Sequence, residues 1–334
     1  MGNTNCTNTG TVEVGAVGEH VIARVNGLLE KGFKVGEGTD GWRRVFYGLP
    51  WKKPAGVPWS HMKAGFSQKK LLIYNARMLQ DKNKHTNESK SSFFEKHGFV
   101  LCEMPTKVKD WNEDYLDADT DISNIYHKEI ETLLREELFP SGTVFTHIGQ
   151  DNAVLRRGPG SKNNFYGSGV HQDYALTPQE YLSAVKAYIG DNIAYENWED
   201  GFNSHLADSD IFCVICFWRP IGMEDHTLIN NPLCVLDRSS LKEEDIVKTE
   251  TYGFTPTGKP QPQLTLKHDE GQRWYYYPDM TPDEVLVFKQ FFYQKSDPNG
   301  AYKSCFHSAF CDPREGPYRK QKRQSTEHRV RVFI

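Results

Sequence analysis

Val170-His171-Gln172-Asp173-Tyr174 holds the only His-x-Asp in a chain with 12 histidines. In extended backbone, residues i and i+2 point to the same side. His171 and Asp173 therefore present an imidazole and a carboxylate to one point. A distant histidine added to them makes a 2-His-1-carboxylate set, which holds iron(II) by one face and leaves the other positions open. The candidate third ligand is His307, in the apolar stretch Cys305-Phe306-His307-Ser308-Ala309-Phe310. A basic run, Arg319 to Arg331, follows it and offers guanidinium groups to a carboxylate co-substrate. That order suggests a non-haem iron oxygenase using 2-oxoglutarate and dioxygen, with His171, Asp173 and His307 as both metal ligands and catalytic residues.

Rival assignments exist for each part. His147, in Phe145-Thr146-His147-Ile148, competes with His307 for the third ligand position. His268-Asp269-Glu270 precedes Gly271 and reads as a hairpin turn. His127-Lys128-Glu129 falls on a helix, where its ends do not align. Cys213-Val214-Ile215-Cys216 has a redox spacing but sits in an apolar strand, where i and i+3 face opposite sides. Arg323 and Ser325 offer a guanidinium fork and a hydroxyl to one carboxylate, and Arg329 and Arg331 share that side of the strand. Most of the seven cations from Arg314 to Arg331 read as solvated surface.

The elements that carry these residues form one pattern. Asp121 to Phe139 is an amphipathic helix, with Ile122, Ile125, Ile130, Leu133, Leu134 and Leu138 at helical spacing. Residues 93–101 read as a helix end, a glycine stop and a strand start. After Gly142 come short strand-like runs: 143–148, 153–156, 169–173, 211–218, 233–236, 263–267, 274–277, 284–291, 304–310 and 327–334. One helix, Pro178 to Gly190, interrupts them behind the N-cap Thr177. The fold class expected is mainly β with helices (α+β): a double-stranded β-helix, or jelly roll, over 141–334, with a helical or mixed N-terminal part over 19–140. No internal repeat or linker divides 19–334, so a single domain is expected. Residues 1–18 are polar, without a signal-peptide pattern, and are expected to be disordered.

Composition narrows the function classes. The chain has 334 residues, 40 Lys+Arg against 44 Asp+Glu, and 13% aromatics. That balance argues against bulk nucleic-acid binding. No apolar run approaches the roughly 20 residues of a membrane helix. The start Met1-Gly2-Asn3-Thr4-Asn5-Cys6 has Cys where a myristoylation signal has Ser or Thr. Seven scattered cysteines fit free thiols and a cytoplasmic setting.

Several segments together resemble the fungal gibberellin desaturase and related hydroxylase/desaturase proteins. They are Trp218-Arg219-Pro220, Asn231-Pro232-Leu233-Cys234-Val235-Leu236-Asp237, Trp274-Tyr275-Tyr276-Tyr277-Pro278 with Met280-Thr281-Pro282-Asp283-Glu284, His307-Ser308-Ala309-Phe310-Cys311-Asp312-Pro313, and Arg323-Gln324-Ser325-Thr326-Glu327-His328-Arg329. The Gly98-Phe99 and Thr106-Lys107-Val108 region is similar too. The resemblance runs in order from about residue 70 to the end. It implies a 2-oxoglutarate/iron(II) oxygenase on a double-stranded β-helix, with His171, Asp173 and His307 as ligands. It also implies a co-substrate site at Arg323, Ser325 or Arg329. Cys234-Val235-Leu236 and the stretch 191–210, read as a loop, depart from the family pattern, so the substrate does not transfer. The expected partner is a small molecule, with Arg157 and Arg219 able to hold an acidic one and Tyr174, Tyr276 and Phe292 near the site by chain order. Two rivals remain: a cupin-type metal dioxygenase without 2-oxoglutarate, whose ligands cluster more tightly along the chain, and a non-enzymatic β-sandwich binding protein.

Overall fold

The computed structural model describes residues 18–30, 45–48, 66–85, 89–111, 119–157, 169–190, 192–223, 227–252, 255–298, 303–318 and 322–334. The expectation for residues 1–17 lies outside them. The described chain is mainly strand, with helices between the strands. In order these are β1 (His20–Leu29), β2 (Val45–Gly48), β3 (Phe66–Asn75), β4 (Phe99–Glu103), β5 (His147–Arg156), β6 (Ile211–Pro220), β7 (Leu233–Leu236), β8 (Ile246–Tyr252), β9 (Gln261–Lys267), β10 (Trp274–Tyr276), β11 (Glu284–Gln294), β12 (His307–Ala309) and β13 (Ser325–Phe333).

They form two sheets. One has the order β12-β7-β10-β3-β1-β9-β8-β2, the other β4-β11-β6-β13-β5. The smaller sheet is antiparallel throughout. Its middle strand β6 is apolar on both faces, which is what burial between a core and a helical layer requires. One core joins Val235 and Tyr275 of the larger sheet to Trp218, Leu286 and Phe288 of the smaller. Residues alternate across β13. Glu327 and Arg329 turn towards the His-x-Asp segment, while His328 packs on Tyr126, 4.8 Å between ring centroids. That second face is covered by the helix the periodicity predicts, made of Ile122–Tyr126, His127–Leu133 and Leu134–Leu138, the first and last as wider π turns.

The expectations for the elements need three corrections. The N-terminal part is as much strand as helix: β1 and β3 pair over most of their length and sit inside the larger sheet. The stretch 191–210 is largely a helix, Ile193–Ala207, started by Asn192, whose side chain accepts from the Tyr195 N–H. Its aromatic residues stack, Trp198 on Phe202 and Phe202 on Tyr181, and this packing outweighs its polar composition. Residues 169–173 form only isolated bridges rather than a strand.

Local signals hold elsewhere. Gly98 ends the Lys90–His97 helix in the left-handed region, φ 81°, and its N–H donates to Phe94 O. Thr177 and Glu180 form a reciprocal capping box at the Pro178–Ile189 helix, a device worth about 1 kcal/mol. That cap sits four residues after Asp173 and ends the ligand segment firmly. Cys213 and Cys216 are both free and buried, as the strand reading expects. Among the described residues five cysteines are free, but Cys311 is disulfide-bonded, which corrects the all-thiol expectation.

Candidate metal centre

The His-x-Asp segment is held from both flanks by backbone bridges. Val170 N–H donates to Asn26 O of β1 at 2.8 Å. His171 and His307 exchange two backbone hydrogen bonds, at 3.2 and 3.0 Å, and Gln172 exchanges two more with Leu264 of β9. A residue near the middle of the chain is thereby registered directly against one near its end. Gly27 of β1 makes this possible. Its φ is +84°, and a Cβ there would lie 2.7 Å from Val170 N and 2.8 Å from Gly169 Cα. Thr265 Oγ1 clips the same crossing, donating to Gly27 O at 3.2 Å.

His171, Asp173 and His307 converge, each offering a ligand atom within 4.8 Å of the others. Among the described residues no other group of three His, Cys, Asp or Glu does so. The imidazole rings of His171 and His307 are 4.4 Å apart between centroids, and Phe288 packs on His307 at 5.0 Å. His171 Nδ1 donates to Gly169 O at 2.6 Å, which leaves Nε2 to face Asp173 Oδ1 at 3.2 Å. This fixed orientation is what a metal-ligating imidazole needs from its second nitrogen.

The protonation states follow from the surroundings. Burial pushes His307 down to about 3, helped by the neighbouring His171, so its imidazole is neutral. Burial also opposes charge on His171, but its hydrogen bond to Asp173 outweighs this and raises it. Burial alone would raise Asp173; the Arg329 guanidinium, at 2.9 Å from Oδ2, overrides it and holds the carboxylate ionised. Two neutral or neutralisable imidazoles and one carboxylate suit a divalent ion. Residues that sequence reasoning passed over complete the surroundings. Gln290 of β11 donates to Asp173 Oδ2 at 2.7 Å, and Gln261 Nε2 donates to Asp173 O at 3.2 Å. Glu327 shares the Arg329 guanidinium with Asp173. The one signal for Gln290 is an amide which, with Lys289, interrupts the otherwise apolar run Val287-Phe288-Lys289-Gln290-Phe291-Phe292.

The other expected residues divide. Arg329 touches the triad. Arg323 is buried, donates to Asn231 O, and lies over the Trp218 ring at 5.4 Å. Ser325 is buried with an Oγ that has no hydrogen-bond partner. Tyr174 bonds to Asp151 and packs on Tyr181 at 5.1 Å. Tyr276 packs edge-on against Phe310, within the core of the larger sheet.

Two residues expected near the site lie on the helical side instead. Arg219 donates to Met104 O at 2.9 Å and to Pro282 O, beside Trp111 and Tyr126. Phe292 has the ammonium groups of Lys289 and Lys303 at 5.3 and 4.6 Å from its ring, past a register break that turns it away. Arg157 adopts φ 57° just past β5, and it is its neighbour Arg156 whose charge acts on His307. His147 stacks on His205 at 3.9 Å, outside the triad. The turn at Asp269, closed by Gly271 N–H to its Oδ1, joins β9 to β10.

The chain is similar in sequence to several known proteins. The hydroxylase/desaturase asaB of Aspergillus flavus is 31% identical over 37% of this chain and 56% of its own length. The alpha-ketoglutarate-dependent dioxygenase phiK of Fungal sp. is 32% identical over 35% of this chain and 39% of its own. The chain thus spans about half the length of these relatives, or less. The hydroxylase/desaturase efuI of Hormonema carpetanum is 25% identical over 82% of this chain and 89% of its own. In fold, the chain is similar to the iron and alpha-ketoglutarate-dependent endoperoxidase NvfI, with a TM-score of 0.63, 19% identity, and 94% and 98% of the two chains covered. Among the described residues no helix is long and apolar enough to cross a membrane. The family model described as Oxidoreductase/YMDC permease-like domain matches residues 39–333, nearly the whole chain, and the chain belongs to that family.

Proposed function

We propose that the chain is an iron(II)- and 2-oxoglutarate-dependent oxygenase. It acts on an unactivated C–H bond of a small specialised metabolite by hydroxylation, desaturation or oxidative cyclisation. The observation that carries this reading is the convergence of His171, Asp173 and His307 on one point between two sheets. The named activities of the fungal relatives support it. In this reading the two sheets are the halves of a jelly roll within a single domain, 19–334.

Iron(II), 2-oxoglutarate and dioxygen together supply the oxidising power to break the C–H bond, with succinate and CO2 as co-products. The protein's part is binding and orientation. His171 presents Nε2 because Gly169 O holds Nδ1–H. His307 is buried and neutral, ready to bind through a nitrogen lone pair. Arg323 and Ser325 lie on β13 or just before it, and we assign them the far carboxylate of 2-oxoglutarate. The unpartnered, buried Ser325 Oγ supports that assignment. Arg329 is the less favoured anchor, because Asp173 and Glu327 already share its guanidinium. The substrate is assigned as a small molecule, and the Arg156 charge, which acts on His307, favours a carboxylate-bearing one. A cytoplasmic setting fits the five free thiols, with the Cys311 disulfide standing against it.

The test is anaerobic addition of iron(II) and then 2-oxoglutarate. A weak visible charge-transfer band is expected, followed by succinate release once dioxygen and an accepted substrate are added. Metal binding without the band or succinate would favour a cupin-type dioxygenase. No metal binding at all would leave a β-sandwich binding protein.

A further inference from the structure

We propose that Gln290 is a positioning residue that makes Asp173 a one-oxygen metal ligand; this rests on the metal reading above. Gln290 is fully buried, at 0% exposure, on β11. Across β6 the pairing runs Lys289 to Ile215 and then Phe291 to Val214, so Gln290 is the extra residue of a bulge. Bulges re-aim side chains, and this one aims an amide across the gap between the sheets.

The amide grips Asp173 twice. Its Nε2 donates to Oδ2 at 2.7 Å, and its Oε1 accepts from the Asp173 backbone N–H at 3.5 Å, a longer and weaker contact. Both contacts are satisfied by the same amide orientation, so carboxylate and backbone of one residue are held by one side chain. Arg329 Nη2 takes the same Oδ2, at 2.9 Å. Oδ2 is thereby occupied by two donors. Oδ1 is left facing His171 Nε2.

A carboxylate free to rotate can bind an ion through both oxygens and so fill a position that a co-substrate needs. Arg329 cannot prevent this alone, because its guanidinium is shared with Glu327. A neutral amide adds the second restraint without adding charge to a site that must stay attractive to a cation. Outer partners of this kind typically change metal affinity about 10- to 100-fold when removed.

The experiment uses the full chain and cobalt(II) as the probe. Visible absorption reports coordination, titration reports affinity, and thermal unfolding of the metal-free protein reports packing. For Gln290→Leu and the more adaptable Gln290→Met, affinity is expected to fall about 10- to 100-fold with an altered visible spectrum and a near-unchanged metal-free Tm. Wild-type affinity and spectrum in a folded variant would overturn the proposal. So would a fall in Tm that tracks the loss of affinity in both variants, since that marks a purely structural glutamine. If the wild-type chain takes up no cobalt(II) or iron(II), the metal reading fails first, and this proposal with it.

Discussion

Gly27→Ala tests the link between fold and site most directly. The backbone there has φ +84°, which costs a non-glycine residue about 1–2 kcal/mol. The new Cβ would also lie 2.7 Å from Val170 N and 2.8 Å from Gly169 Cα. Ordinary contact starts at 3.4 Å, so the two backbones must separate by about 0.7 Å. Neither atom belongs to a flexible side chain that can swing aside. Overpacking of this kind typically costs about 1–3 kcal/mol, so the sum is roughly 2–5 kcal/mol. The strain falls on the hydrogen bond from Val170 to Asn26, one residue from His171. Metal sites tolerate only about 0.2 Å of error in ligand distance, so affinity should fall more than stability predicts. Urea unfolding of the metal-free chain and iron(II) titration under nitrogen measure the two effects. Wild-type values for both would refute the argument that β1 sets the position of the ligand segment.

Other outcomes follow from the same geometry. His171→Ala or Asp173→Ala should abolish turnover and iron binding while the fold persists by circular dichroism; full activity in either would remove the triad. Burial opposes charge on His171 but its hydrogen bond to Asp173 raises it, so more of it is protonated at a given pH and iron displaces that proton on binding. Affinity should therefore weaken as pH falls through that raised value, with proton release visible by calorimetry in buffers of different ionisation enthalpy. Arg323→Ala should raise the 2-oxoglutarate requirement and spare iron binding. Arg329→Leu leaves Asp173 and Glu327 without their cation and should cost about 3–5 kcal/mol of stability. A 2-oxoglutarate effect confined to the Arg329 variant would move the anchor. His328 is buried and pushed down to about 3, burial first and then the His127 and Arg219 charges. The unfolded chain protonates it near pH 6.5 and the folded chain does not, so its stabilising share is complete above 6.5 and declines as pH falls towards 3. At pH 5 the loss relative to pH 7 is about 2 kcal/mol, and His328→Asn should flatten that dependence in urea unfolding.

The sequence alone determined what depends on neighbours along the chain. The helix over 121–139, the Thr177 cap, the Gly98 stop and the apolar strands β6, β7 and β11 follow from local periodicity and caps. The ligand types were legible for the same reason, since i and i+2 in extended backbone must share a side. Tertiary structure decided whatever depends on which strands meet. Gln290 reaches Asp173 across 117 positions, through a bulge that no local pattern announces. Phe292 is turned to the helical side by that same irregularity. The helix Ile193–Ala207 owes its place to aromatic packing on Tyr181, which its polar composition hides. Arg329 was one of several cations in a basic strand until pairing set it against a buried carboxylate. A charge in low dielectric takes its role from its partner, and partners distant in sequence are chosen by sheet register.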